Sequence, residues 1–197
     1  MNLNELAKTV HLANTKWWQD VDTGLPIKRN KGELLALVHS ELSECHEGEC
    51  EDLQDDKLPD RKMGEVECVD AVIRLFDYSA GFGYDLNAAA LLVGLLEFND
   101  LNHITACAQL FDLVKQVSHG NLATVHAAVS RVLEHERKGR SPQEVAAALV
   151  HCLLSICVYA KLQGYDLQGA YTDKTAYNAS RVDHSHEARK AVGGKLF

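Results

Sequence analysis

Residues 31–47 read KGELLALVHSELSECHE, and residues 60–80 read DRKMGEVECVDAVIRLFDYSA. Both stretches space their apolar residues by three and four, which predicts a helix over about Lys31 to Glu47 and another over about Asp60 to Ala80. The first apolar stripe holds Leu34, Leu37, Val38 and Cys45, and Glu41 and Glu44 fall on it. The second holds Met63, Val66 and Ile73, and Glu67, Asp70 and Asp77 fall on it. A helix lying on a protein surface carries its acids on the face opposite its apolar stripe. Here the pairs Glu41/Glu44 and Glu67/Asp70, each spaced i, i+3, share a face with the apolar residues. Four carboxylates converging inside a bundle repel one another unless a cation joins them. A hard divalent ion with oxygen ligands, Mg2+ with Mn2+ as substitute, meets that need. The expected ligands are Glu41, Glu44, Glu67 and Asp70, and Glu44 is the expected activator of water.

The rest of the chain extends the same pattern. Strand-like alternation is scarce, prolines occur only at Pro26, Pro59 and Pro142, and the fold class read from this is all-α. A first helix is expected from about Asn4 to Trp18, burying Leu6, Val10, Ala13 and Trp17, followed by a loop through Asp22, Gly24 and Pro26. Trp17 and Trp18 at its end are candidates to cover a nucleobase by stacking. A further helix begins near Ala170. On it Lys174, Asn178 and Arg181 stand at i, i+4 and i+7 and share one face. Two cations and an amide so arranged suit a phosphate chain, with Lys174 and Arg181 neutralising developing charge and Asn178 donating to phosphate or ligating metal.

Composition excludes several alternatives. A net charge of −8 over 197 residues argues against a nucleic-acid partner, whereas a free nucleotide held through metal is compatible. The six cysteines, Cys45, Cys50, Cys68, Cys107, Cys152 and Cys157, form no C-x-x-C, which predicts buried free thiols in a reducing compartment. No signal-peptide pattern is read at the N-terminus and no run is read as membrane-spanning, so the expectation is a cytoplasmic protein without a membrane. The spacing of His184 and His186 does not suit zinc, and no glutamate has a histidine three residues later, which argues against a di-iron bundle.

The string Gly83-Tyr84-Asp85-Leu86 returns as Gly164-Tyr165-Asp166-Leu167, each time after an apolar helix. This predicts an internal repeat within a single domain of residues 1–197: a catalytic repeat (1–86), a degenerate second repeat (87–167), and a C-terminal helix and tail (168–197) completing the site. At this offset Glu67 and Asp70 correspond to Ala148 and His151, and Asp112 and Lys115 imitate the first acidic pair poorly.

Glu41-x-x-Glu44 with Glu67-x-x-Asp70 resembles the signature of the all-α nucleoside triphosphate pyrophosphohydrolases, the MazG-like group. Trp17-Trp18, Thr23-Gly24-Leu25-Pro26-Ile27, Asn30-Lys31-Gly32-Glu33 and Leu58-Pro59 with Arg61-Lys62-Met63 resemble compact bacterial and phage members. The tail, with Lys174, Tyr177, Asn178, Arg181, Asp183-His184 and Gly193-Gly194-Lys195, is similar to the same members' C-terminus. The resemblance covers residues 1–86 and about 164–197, with the second repeat intervening. It implies a helical bundle of that type and Mg2+-dependent hydrolysis between the α- and β-phosphates, giving a nucleoside monophosphate and pyrophosphate. It implies Glu41, Glu44, Glu67 and Asp70 as metal ligands, and Lys174, Asn178 and Arg181 as phosphate or metal contacts. It also implies a homodimer, each chain a pseudo-dimer of repeats. The alternatives are a specific dUTP, dCTP or phosphoribosyl-ATP pyrophosphohydrolase, or a nucleotide-sensing or interaction module without turnover.

Overall fold

A computed structural model describes residues 2–92, 100–102, 121–191 and 193. Among the described residues the chain is all-helical, with no strand. Helix α1 (Leu3–Asn14) starts at a capping box: the Asn2 side chain accepts from the Glu5 N–H and the Glu5 carboxylate accepts from the Asn2 N–H. It does not continue to Trp18 as expected but tightens into a 3₁₀ turn over Thr15–Trp18. Helix α2 (Lys31–Cys50) is capped by Asn30, and α3 covers Met63–Gly81. A short α4 (Leu86–Leu92) follows, then α5 (Leu122–Arg137), α6 (Pro142–Gln163), α7 (Leu167–Ser180) and the single turn α8 (His186–Lys190). The expected positions Asp112 and Lys115 lie outside the described residues.

Two antiparallel hairpins make the framework, α2 on α3 and α5 on α6. Within the first, Cys45 lies against Cys68, their sulfurs 3.6 Å apart as free thiols. The hairpins pack on each other through α2 against α5 and α3 against α6. One continuous core results, holding Leu35, Val38, Leu42, Leu75 and Phe76 with Val129, Leu149, Leu153 and Ile156. Each such fully buried aliphatic or aromatic side chain contributes about 1.5–3 kcal/mol.

The sequence reading expected no run of membrane-spanning length, and α6 corrects it. An 18-residue window within its 22 residues reaches a mean hydropathy of 2.0, long and apolar enough to cross a bilayer. Most of it is buried against the other helices, because a helix apolar on all sides is what the centre of a bundle requires.

The two Gly-Tyr-Asp-Leu strings build the same turn. Gly83 and Gly164 take φ of +73° and +79°, a region where a side chain would be strained. The N–H of Tyr84 donates to Ser79 O and that of Tyr165 to Ala160 O, both at 2.9 Å. Asp85 accepts from the Ala88 N–H and Asp166 from the Gly169 N–H, each at 3.0 Å, opening α4 and α7. The Asn4 amide donates to Asp85 at 2.8 Å, and the Asn102 amide to Asp166 at 2.7 Å. After each turn the chain crosses to the other hairpin, α4 onto α6 and α7 onto α3.

Polar contacts between the hairpins are reciprocal as well. Tyr78 and Tyr84 on the α3 side donate their hydroxyls to Glu136 of α5, which also accepts from Lys31 at 2.7 Å. Tyr159 and Tyr165 on the α6 side donate theirs to Glu49 of α2. Between these two clasps, where α2 meets α5, the Nδ1 atoms of His39 and His126 lie 2.7 Å apart with ring planes at 8°. One neutral imidazole donates and the other accepts. Burial lowers both below the usual histidine range, with His126 adding to the shift of His39 and His46 to that of His126.

Glu136→Ala leaves Tyr78, Tyr84 and Lys31 without their shared acceptor, and it is expected to lower unfolding free energy by about 2–3 kcal/mol. Glu49→Ala should cost a comparable amount. Urea unfolding followed by circular dichroism measures both, and an effect under about 0.5 kcal/mol would show that the clasps are solvated contacts.

Candidate metal and phosphate site

The stripe that buries Leu34, Val38 and Cys45 on α2 also buries Glu41, and the stripe of α3 buries Glu67. Glu41 and Glu67 are each 6% exposed. Side-chain oxygens of Glu41, Glu67 and Asp70 all lie within 4.8 Å of one another. Two cations close on this cluster. The Arg74 guanidinium, one turn after Asp70, pairs with Glu41. Lys174 arrives from α7, buried, with Nζ 2.6 Å from Asp70 Oδ2.

Charge states follow from this crowding. Burial first, then the charges of Asp70 and Glu41 and a hydrogen bond to Glu41, push the Glu67 carboxyl up to about 10, so it holds a proton at neutral pH. Burial raises Asp70 to about 6 against the opposing pull of Lys174. Burial alone would lower the Lys174 ammonium. Asp70 first, then Glu67 and Asp55, outweigh it and hold Lys174 above its ordinary value. Three convergent carboxylates, Glu41 and Glu67 buried and Asp70 partly so, are the oxygen donors a hard divalent cation takes.

Glu44 is not part of the convergence. Three residues along a helix turn a side chain about 60° away from its starting direction. Glu41 therefore meets α3 while Glu44 stands exposed at the rim. Partial burial, then the neighbouring Glu41, raises the Glu44 carboxyl above its ordinary value.

Beside the acids opens a cleft of about 140 Å³. Asp70, Lys174, Asn178 and Arg181 are among its polar lining, so Lys174 and Asn178 of α7 and Arg181, the residue just past its end, do reach one place. Trp17, Leu34, Leu37 and Ile73 line its apolar side. Arg181 pairs with Asp183 at 2.8 Å and lies over the Tyr177 ring. The Oδ1 atom of Asn178 is buried and has no hydrogen-bond partner among the described residues.

The two tryptophans part company. Trp17 faces the cleft, with the Arg189 guanidinium 4.5 Å from its ring centroid and the edge of His184 at 5.1 Å. Trp18 turns away from it. Its indole N–H donates to both Asp77 oxygens at 3.1 Å, and its ring packs edge-on against His11 and Phe82. A Cβ on Gly81 would come within 2.3 Å of the Trp18 ring, so this residue is locked into the core instead of covering a ligand. His184, against Trp17, stands apart from the acid cluster, and no group of metal-ligating side chains gathers around it among the described residues.

Sequence reasoning passed over Arg74, and it met Arg189 in the tail's resemblance, as part of Glu187-Ala188-Arg189, without giving it a role. Arg74 had a signal, since i+4 from Asp70 and i+7 from Glu67 place it on the same face. Arg189 had none, because its target, Trp17, lies 172 residues earlier.

No protein-family model matches this chain, and no curated protein or solved structure is significantly similar to it.

The buried acid gives a stability prediction. An unfolded glutamate ionises near pH ~4.3, whereas folded Glu67 keeps its proton up to about 10. Between those values the folded chain binds the extra proton, so this carboxyl's contribution to stability falls as pH rises. In chelator, wild-type stability is expected to drop from pH 7 to 9, and Glu67→Gln is expected to flatten the drop. Urea midpoints across that range check it, and identical slopes would refute it.

Proposed function

We propose that this chain is a Mg2+-dependent nucleoside triphosphate pyrophosphohydrolase of the MazG-like kind. The observation that carries the reading is the adjacency of three convergent carboxylates to a cleft whose lining includes the cations Arg74, Lys174 and Arg181 together with Trp17, Leu34, Leu37 and Ile73. A triphosphate needs both halves: a charged end for the phosphates and an apolar wall for the base.

Glu41, Glu67 and Asp70 would hold the metal, with Glu44 at the rim. Bound there, Mg2+ would neutralise phosphate charge and make a nearby water more acidic, and Mn2+ has the same preferences for oxygen ligands. Lys174 and Arg181 line the cleft and would offset charge that builds on the phosphates during displacement of pyrophosphate. Asn178 presents a carboxamide whose buried oxygen lacks a partner, which suits contact with a ligand donor or cation. Glu44, exposed beside Glu41 and raised in pKa, is the carboxyl we assign to take a proton from the attacking water. Trp17 offers a ring face at the apolar end, while Trp18 acts behind it through Asp77.

We also read the chain as two copies of one unit related by an approximate twofold axis at His39 and His126. Supporting this, His39/His126 and Glu49/Glu136 are both 87 residues apart, and Tyr78/Tyr159 and Tyr84/Tyr165 are both 81 apart. The 87-residue offset also carries the buried positions Leu35, Val38, Leu42 and Cys45 onto buried Leu122, Val125, Val129 and Val132. On these offsets α5, and not the stretch around Asp112 and Lys115, is the counterpart of α2. Glu41, Glu44, Glu67 and Asp70 then correspond to Ala128, Arg131, Ala148 and His151. Two alanines, an arginine and a histidine make no site for a hard cation. The second copy instead sends α7, with Lys174, to the acids of the first. Each chain would thus own one complete site, whether or not two chains associate.

Purified protein with Mg2+ is expected to release pyrophosphate and a nucleoside monophosphate from at least one member of a nucleotide panel that includes dUTP, dCTP and phosphoribosyl-ATP. Glu41→Ala and Asp70→Ala should each reduce turnover by about 10³-fold. Specific activity should hold constant on dilution through any dimer dissociation. Nucleotide binding without turnover would favour a sensing module, and release of orthophosphate would overturn the cleavage position.

A further inference from the structure

The acid cluster is closed by side chains of the chain itself. Arg74 takes Glu41, and Lys174 takes Asp70, with its Nζ at 2.6 Å and its side chain 7% exposed. The charged groups around Lys174 are Glu67 and Asp70 from α3 and Asp55 from the loop before it. Glu41, Glu44 and Arg74 on α2 and α3, Asp56 beside Asp55, and Arg181 past α7 also face this cluster. A divalent ion bound by Glu41, Glu67 and Asp70 would need the same Asp70 oxygens and would repel an ammonium held there. Lysine is also the cation best able to leave. Its charge sits on a flexible four-carbon stem, and its three donors rotate freely. The cleft lined by Asn178 and Arg181 opens beside it, so Nζ has a second place to go within the same site.

We propose that Lys174 is a resident counter-cation that competes with the divalent metal for Asp70 and passes to the phosphates when metal and nucleotide bind together. The proposal rests on the metal-dependent reading above. Metal alone binds weakly because it must displace an ammonium that has nowhere better to go. A triphosphate supplies that place, so metal and nucleotide strengthen each other's binding, and the coupling runs through one side chain. The device would keep the acids neutralised between catalytic cycles without a tightly held ion.

Lys174→Met removes the charge and keeps an apolar stem of similar length. Mn2+ binding to the full-length, nucleotide-free protein is read by electron paramagnetic resonance. The variant is expected to bind Mn2+ about tenfold more tightly than wild type, which is a gain of one decade in Kd. In saturating Mg2+ it is expected to bind an α,β-methylene triphosphate analogue about tenfold more weakly. Damage to the fold would weaken both, so opposite shifts identify the exchange. Lys174→Arg retains the charge and should keep the weak Mn2+ binding of wild type, and Glu67→Gln should weaken Mn2+ binding in either background. Unchanged or weaker Mn2+ binding in Lys174→Met overturns the proposal and leaves the metal reading intact. Absence of Mn2+ binding in wild type and variant alike, with and without the analogue, removes the metal reading itself.

Discussion

Like charge held in an apolar interior is the constraint around which this molecule is arranged. Glu41, Glu67 and Asp70 lie where the packing of α2 on α3 would otherwise call for leucine or valine. Isolated carboxylates at such depth are too costly to remain ionised. The chain answers with a guanidinium from α3, an ammonium from α7 and a proton on Glu67. Of these, the ammonium determines the architecture, because α7 can reach Asp70 only by lying across α3, and α3 belongs to the other hairpin. The crossing in turn requires the tight turn at Gly164 and the anchoring of Asp166 by Asn102.

Hydrophobic packing and polar contacts divide the labour of holding the hairpins together. The apolar core running from Leu35 to Ile156 gives most of the stability but little orientation, since aliphatic contacts tolerate sliding. The tyrosine–glutamate clasps and the His39–His126 pair are directional. Each fixes one helix against one partner, at both ends and in the middle of the contact. A slip of one helical turn would leave several buried hydroxyls unsatisfied.

Much of the fold and the centre of the site could be read from sequence. The α2 and α3 stripes were legible because burial imposes a period of 3.6, and acids that keep that period reveal themselves. The α7 face was legible for the same reason: Lys174, Asn178 and Arg181 are spaced to meet. What failed depended on angles or on distant partners. Glu44 shares a broad face with Glu41, but a 60° turn carries it from the interior to the rim. Trp17 and Trp18 are adjacent, yet the 3₁₀ turn sends one to the cleft and the other to Asp77, a destination set by a helix far along the chain.

The arrival of Lys174 from late in the chain has a consequence for synthesis. Asp70 and Lys174 are 104 residues apart, so their meeting is among the longest closures in the fold. Contacts of such separation form late, after local hairpins have collapsed. A ribosome that has released only α1 to α3 presents the three carboxylates without their lysine. The ion pair that ties α7 to α3 therefore closes only once α7 itself has been made.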